Sequence, residues 1–346
     1  MSQSNSCTQV LRNVRTLYEN GRLQELKNSV SECLDNISTE NNSEFSKEEK
    51  REVYRYLALT NIFLNQPSEA DEMMLKLLKS DHYYKPSLLL EPLEYIALYN
   101  KFRNRPLFRV GLKFGSNVSL PLVIKSYSVG NNSSGKGEYK MAPSFQSYLV
   151  FEKDFKKNFV LSLEAGFVKR IYNYSNNFLS TPIVSNFSSN LVNPSFTKFK
   201  ETQNCIDFNV FLHYNLINTQ KKAFFFGVGP GVTYLINSSN QPQTTLNGFK
   251  QSYVVTGAKI EDTRSFRSIN YSASAIVGLK IRLGEIYITT DARYQFGLNN
   301  VLEPLRRTNE ELAFDYQIIP NDYRINNFIL NVGILYSYFK PKKLTK

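Results

Sequence analysis

The sequence contains no run of about 18 apolar residues, so it contains no segment that could form a transmembrane helix. Its mean hydropathy of −0.35 is ordinary for a soluble protein. A membrane-crossing β-strand, however, needs only about 9–11 residues with every second one apolar, and this pattern leaves the average hydropathy low. The low hydropathy therefore does not exclude a membrane protein that is built from strands.

The sequence is also poor in the residue types that build catalytic and cofactor sites. It has only two histidines, His82 and His213, and no Cys-x-x-Cys or His-Glu-x-x-His pattern. The glycine run 227–231 lacks the Lys-Ser/Thr that follows a phosphate-binding loop, and it lies in a predicted strand. We therefore expect no metal, no cofactor and no enzymatic activity.

One catalytic alternative involves His213 and Asp207, which share a face of a predicted strand and could form a catalytic acid–base pair. Six residues along a strand separate two side chains by about 20 Å. The sequence therefore favours a histidine that packs inside the wall of the protein.

The net charge of +12 raises the question of an anionic partner. Lysines and arginines are dispersed along the chain, and no RNA-binding or helix-turn-helix motif occurs. We expect no nucleic-acid partner, and attraction to anionic lipid headgroups accounts for the charge.

The chain begins without an apolar signal segment, so a membrane location implies an export signal that has been removed from this sequence. Of the three cysteines, Cys7 and Cys33 flank a predicted helical hairpin, whereas Cys205 has no obvious partner. In an oxidising compartment we expect a Cys7–Cys33 disulfide that stabilises the fold by about 3 kcal/mol. Two buried free thiols are the alternative.

Residues 1–104 are rich in helix formers and charges. Apolar residues recur at helical spacing in 8–19, 22–35, 46–62, 67–79 and 91–103. Ser46 and Glu49 form a capping-box pattern, and Asn20-Gly21 predicts a left-handed helix end. Two stacked hairpins of this size resemble a short tetratricopeptide array, and a plain helical bundle without a binding groove fits equally well.

From residue 107 the apolar period changes from 3.6 to 2. In 269–281, Ile269, Tyr271 and Val277 alternate with Asn270, Ser272 and Lys280. The same alternation predicts strands at 107–118, 144–154, 159–171, 205–216, 223–236, 269–281, 286–298 and 328–338. Eight strands with an apolar outer face and aromatic ends are typical of a lipid-facing barrel.

The predicted connections alternate in length. Those near 154–158, 218–222 and 283–284 are short, whereas the other four run about 20–30 residues and are rich in Asn, Ser, Thr and Gly. Short turns on one side and long loops on the other are the outer-membrane arrangement, with both termini in the periplasm. A soluble β-sandwich would leave the apolar outer faces unexplained.

The predicted inner face of the strands carries charged residues: Arg109, Lys113, Glu164, Arg170, Asp207, Lys280, Asp291 and Arg293. Eight strands enclose an interior that side chains can fill, so we expect these charges to pair across it instead of lining a channel. The expected fold class is a two-domain α + β protein. Helical hairpins in 1–104 precede an eight-stranded antiparallel up-and-down transmembrane β-barrel in 105–346.

Several short patterns carry a family resemblance. They are Cys7 with Leu17-Tyr18 and Gly21, Cys33, Glu48-Glu49-Lys50, Tyr54-Arg55 with Leu57, Ala70-Asp71, Leu75 with Leu78-Lys79 and Asp81, Glu91-Pro92, and Arg105-Pro106 with Phe108, Gly111 and Gly115. Together they resemble Bacteroidota outer-membrane β-barrel proteins with an N-terminal helical domain. The barrel is also similar to the outer-membrane component of the type IX secretion machinery.

The resemblance implies a non-enzymatic outer-membrane subunit of an envelope secretion or assembly complex. Its partners would be outer-membrane lipid and other outer-membrane or periplasmic proteins, with the periplasmic helices docking one of them. The alternatives are a free-standing OmpA-like barrel that binds ligands or anchors the envelope through its surface loops, and an enzyme active at the rim.

Overall fold

A computed structural model describes residues 7–35, 45–127, 138–156, 158–175, 196–219, 221–247, 252–310, 312 and 319–344. The chain divides into two compact units, Met1–Leu107 with Tyr338–Lys346, and Phe108–Ser337. We call them the helical unit and the strand unit. No helix among the described residues is long and apolar enough to cross a membrane.

The helical unit contains α1 (Cys7–Glu19), α2 (Leu23–Asp35), α3 (Lys47–Phe63), α4 (Pro67–Ser80) and α5 (Leu93–Asn100). Gly21, at φ +69°, turns the chain between α1 and α2 as predicted. The predicted capping box is present at the start of α3, where Ser46 and Glu49 bond each other's backbone N–H groups. Buried stripes of α1, α2 and α3, including Val14, Leu26 and Val53, pack into one core.

The last predicted helix, 91–103, is shorter than expected. It begins at Leu93 after Pro92 and ends at Asn100. Phe102–Arg103 instead forms a short strand, β1, that pairs antiparallel with β12 (Lys342–Lys343) at the C-terminus. Phe339 stacks on His82 with 4.8 Å between ring centroids. These contacts explain why the last nine residues group with the helices and not with the strands that precede them.

The described residues of the strand unit form eight long strands: β2 (Phe108–Lys125), β3 (Glu138–Asp154), β4 (Phe159–Ser175), β5 (Phe196–Asn218), β6 (Lys222–Asn247), β9 (Ile269–Leu283), β10 (Ile286–Gly297) and β11 (Asp322–Tyr338). Each corresponds to one predicted strand. Two shorter strands that were not predicted, β7 (Ser252–Thr256) and β8 (Ile260–Glu261), pair with β6.

Most long strands extend beyond their predicted ends at the side of the long connections. The strands continue there past the segment of regular alternation, both where the outer side chains are polar, as at Lys140, and where they are apolar, as at Ile124. The prediction of 20–30 residues for the first long connection was therefore wrong, because β2 runs to Lys125 and β3 begins at Glu138.

The long strands pair in the order β2-β3-β4-β5-β6-β9-β10-β11, and β11 pairs again with β2. Each strand thus has a neighbour on both sides, and the sheet forms a ring of eight strands. Because side chains alternate along each strand, the ring has one set pointing outward and one set pointing inward. Pairing on both sides lets the backbone groups of each long strand bond those of its neighbours.

Candidate functional site

Over the part of the ring nearer the short turns, the outward set is largely apolar on all eight strands. On β11, Phe328 and Val332 expose 50% and 59% of their surface. The other strands contribute further exposed residues: Leu112, Phe114, Leu149, Leu163, Phe208, Leu212, Phe226, Val228, Tyr271, Val277, Ile288 and Tyr294. We call this surface the apolar wall. Exposed apolar area of this extent is unfavourable in water and marks a surface that contacts another apolar phase.

The inward set is polar and charged. Nearest the short turns, the Lys280 ammonium on β9 donates to both carboxylate oxygens of Glu152 on β3, at 2.7 and 2.6 Å. The guanidinium of Arg109 donates twice to Asp154, at 2.9 Å each, and lies 3.6 Å from Glu152. These paired charges form the first layer of the ring interior.

A second charged layer lies two to four residues further along the strands. The ammonium of Lys113 on β2 lies 2.8 Å from Glu164 on β4 and 2.8 Å from Asp291 on β10. Arg293 on β10 also donates to Glu164. All four side chains are fully buried. Two cations and two carboxylates thus neutralise one another inside the ring.

A third polar layer lies toward the long connections. Arg170 lies 3.4 Å from Asp207 and donates to Thr233 at 3.0 Å. Beyond it, Tyr323 on β11 donates to Glu201 on β5 at 3.3 Å, and the Tyr172 hydroxyl contacts both residues. Sequence reasoning missed Glu201 and the tyrosines. The inward parity of each strand, continued past residue 171 on β4 and before residues 205 on β5 and 328 on β11, would have indicated them.

The ring order shows how these contacts cross the interior. Four strand steps separate β3 from β9, β4 from β10, and β5 from β11, so each pair lies on opposite sides of an eight-strand ring. Lys280–Glu152, Arg293–Glu164 and Tyr323–Glu201 connect these pairs. Side chains therefore span the interior at three successive levels.

The structure places all eight predicted inner charges in this network: Arg109, Lys113, Glu164, Arg170, Asp207, Lys280, Asp291 and Arg293. It does not bring His213 and Asp207 together, since Asp207 faces Arg170 whereas His213 lies between the rings of Phe211 and Phe225, at 5.8 and 4.6 Å. A Cβ on Gly227 would lie 2.5 Å from the His213 ring. The glycine run makes room for packing inside the ring.

The other predicted site was a disulfide. The structure contains the Cys7–Cys33 bond, which joins α1 to α2 with 5.9 Å between the Cα atoms, and Cys205 is free and buried. Within the described residues there is no cluster of three or more His, Cys, Asp or Glu side chains that could hold a metal ion. The predicted site residues thus form charge pairs inside the ring and a structural crosslink in the helical unit.

An eight-strand ring with an apolar exterior and a charged, filled interior defines the class of outer-membrane barrel proteins. The family model for the outer membrane protein beta-barrel domain matches residues 100–303. The chain belongs to this family.

Three of the solved structures that match are outer-membrane proteins. Neisserial surface protein A is 8% identical, with 67% of this chain and 97% of that chain covered and a TM-score of 0.32. OprG of Pseudomonas aeruginosa is 10% identical, with 68% and 98% covered and a TM-score of 0.33. The protease OmpT of Escherichia coli is 9% identical, with 67% and 96% covered and a TM-score of 0.29. No curated protein matches the chain.

Proposed function

We propose that the protein is a non-enzymatic integral outer-membrane protein whose eight strands form a closed up-and-down barrel, and that the barrel anchors the helical unit in the periplasm. There the helical unit docks a protein partner of the envelope, as a subunit of a secretion or assembly complex. The apolar wall is the surface that contacts membrane lipid.

The orientation rests on the strand connections. The short connections, between β3 and β4, β5 and β6, and β9 and β10, lie at the end of the ring where β2 begins and β11 ends. In outer-membrane barrels the short turns are periplasmic and the long loops extracellular. The chain therefore passes to the helical unit, at both of its connections, from the periplasmic end.

The observation that carries the proposal is the filled interior. Three levels of side-chain contacts between opposite strands, two of them ion pairs, cross the interior of the described ring. They support a barrel that acts through the parts outside its interior and does not conduct solutes.

The helical unit offers a surface for a partner. Leu88, Leu89, Leu90 and Leu93 expose 76–95% of their surface, next to α5. Four exposed leucines within six residues form an apolar patch of the kind that marks protein-protein contacts. We call them the leucine patch, and it supports docking through the helices.

The test is a mild-detergent extraction of native membranes with a tagged chain, followed by mass spectrometry of the proteins that co-purify. We expect stoichiometric envelope proteins with the native chain and their loss with Leu89→Ser/Leu90→Ser. Leu305→Ser, a change at a 95% exposed leucine of the strand unit, is the matched control and should retain them. Recovery of the barrel alone would favour surface loops as the functional part, and recovery in the soluble fraction would overturn the membrane assignment.

A further inference from the structure

We propose that the outer face of β3, β4 and β5 binds one phosphorylated lipid, with an acyl chain in an apolar groove and a phosphate group on lysines above it. The inference rests on the proposed membrane-spanning barrel. It adds a specific lipid site to a wall that otherwise contacts lipid without selectivity.

The groove is a concavity of about 680 Å³ in the apolar wall across β2–β5. Its outward-facing lining lies in two adjacent rows of the sheet. One row contains Leu112, Leu149, Ala165 and Phe208, and the other contains Val110, Phe151, Leu163 and Val210. Ala165 is the single small side chain in its row, so the neighbouring larger side chains leave space over β4. An acyl chain fits the chemistry of this lining.

A row of lysines lies on the same strands, toward the long connections. The register aligns Lys140 on β3 with Asn173 on β4 and Lys200 on β5. Neighbouring strands are about 4.8 Å apart, so the backbones of Lys140 and Lys200, two strands apart, are separated by about 10 Å. Lys198, two residues before Lys200, adds a third cation on this face.

These lysines point outward. Their neighbours Tyr139 and Phe199 pack among buried aromatic residues inside the ring, and side chains alternate along a strand. Lys140 lies 3.7 Å from the exposed Glu138. The face therefore carries more positive than negative charge outside the apolar wall.

Lys169 connects the groove to the lysine row. It lies four residues from Ala165 on β4, about 13 Å along the strand. Its ammonium is 5.8 Å from the centre of the Phe145 ring. The Phe145 and Phe167 rings are 6.1 Å apart, on the side of the apolar wall that faces the long connections. Apolar groove, aromatic edge and cations thus follow one another along β4.

An apolar groove followed by cations matches the chemistry of an amphiphile, which has an apolar chain and a charged head. The aligned Lys140 and Lys200 lie at the level of Asn173, four residues or about 13 Å along β4 from Lys169. A phosphate monoester or diester placed midway between these two levels is about 7 Å along the strand from each, within reach of their long side chains, whose ammonium groups bind phosphate as point charges. Its acyl chain would extend toward Ala165. Since β3 begins and β4 ends at the side of the long connections, the lipid would belong to the outer leaflet.

The experiment uses the full chain reconstituted in phosphatidylcholine vesicles, with flotation as the check on insertion. Native mass spectrometry then measures retention of diphosphoryl lipid A against its dephosphorylated form. We expect one diphosphoryl lipid per chain. Lys140→Gln/Lys169→Gln/Lys200→Gln should weaken its binding about a hundredfold, the product of roughly fivefold per lysine.

Matched controls distinguish loss of the lipid site from a general loss of positive charge or of folding. Lys153→Gln/Lys156→Gln/Lys222→Gln removes the same charge at exposed positions near the short turns and should leave binding unchanged. Ala165→Phe should fill the groove and weaken binding at least tenfold, whereas Ala292→Phe on the opposite strand β10 should not.

The outcomes distinguish failure of the lipid site from failure of the proposed membrane-spanning barrel. Failure to float with vesicles would overturn the membrane-spanning barrel itself. Insertion with equal retention of both lipid forms, or binding unchanged in the lysine and Ala165 variants, would overturn only the lipid site. Binding of inorganic phosphate without retention of the lipid would also overturn it.

Discussion

Lys280 on β9 and Glu152 on β3 form a doubly hydrogen-bonded ion pair, at 2.7 and 2.6 Å, between strands on opposite sides of the ring. Both side chains are almost completely buried, at 4% and 0% exposure. Each charge would be costly in that position without the other. The pair therefore acts as a tie across the interior and fixes the distance between opposite strands.

Removing one partner of this tie should destabilise the barrel strongly. Lys280→Met leaves the Glu152 carboxylate buried with fewer counter-charges, and loss of one partner of a buried pair costs about 3–5 kcal/mol. Urea unfolding in vesicles, followed by far-UV circular dichroism, measures the change. Lys280→Met/Glu152→Leu should recover much of it, and the exposed Lys153→Met should have little effect. Equal stability of Lys280→Met and native protein would contradict the role of the pair.

The filled interior also predicts an electrically silent barrel. Ions need a continuous polar passage, and three levels of contacts interrupt it. We expect no steady conductance steps when the native protein is inserted in planar bilayers, under conditions in which a general porin gives them. Arg293→Ala/Glu164→Ala removes the second tie and should increase current noise or leak. Stable channels from the native chain would show that the interior opens.

Much of the fold was predictable because its signals are periodic and local. The alternation of Ile269, Tyr271 and Val277 with polar residues is a direct consequence of a wall between lipid and a polar interior, so each strand could be found by itself. The capping box of Ser46 and Glu49 is likewise contained in four residues. The strand ends were less predictable, because the strands continue past the segments of regular alternation.

The sequence predicted that the inner charges pair with one another, but not which residue pairs with which. The sequence indicated that Lys113 and Glu164 face inward, but the partner of each depends on the stagger of the strands, which alternation does not determine. The return of residues 338–346 to the helices had no sequence signal, since the β1–β12 pair has two residues on each side. Long-range contacts of this kind depend on the assembled fold.

The Cys7–Cys33 bond should stabilise the helical unit. The bond closes a loop across a sequence separation of 26, for which loop entropy gives about 3 kcal/mol. Cys7→Ser/Cys33→Ser should lower the urea midpoint of the helical signal at 222 nm by a corresponding amount. A reductant should lower the native midpoint equally and leave the variant unchanged. If the reductant affects both proteins alike, the bond is not the source of the stability.

The cap of α3 should make a small, pH-dependent contribution. The Ser46 backbone N–H and then the Thr8 hydroxyl donate to Glu49 and lower the pKa of its carboxyl. Because the folded pKa is lowered, the contribution is complete above the unfolded pKa and is lost as pH falls through the folded value.

Carboxyl NMR titration of Glu49 measures this shift directly. Thr8→Ala should bring the pKa closer to its ordinary value, and Ser46→Ala should destabilise the helix by about 1 kcal/mol at neutral pH. Glu49→Gln retains an acceptor for the Ser46 backbone N–H and removes the titration. An unshifted Glu49 pKa in the native chain would show that the cap does not form.

Two glycines on the inner face of β6 should respond differently to alanine. A Cβ on Gly229 would lie 1.8 Å from the Val210 carbonyl oxygen, and its next neighbours are also backbone atoms of β5. Backbone in a paired strand cannot move aside without separating β5 from β6, so Gly229→Ala should cost about 3 kcal/mol or prevent insertion.

Gly231→Ala is the matched comparison, because the atoms that its Cβ would meet belong to the side chains of Asn209 and Ser272, which can rotate. Its cost should be smaller, about 1 kcal/mol. Heat-dependent mobility on gels and unfolding in vesicles measure both variants. If Gly229→Ala is as stable as Gly231→Ala, the close approach of β5 and β6 at this position is not what requires glycine.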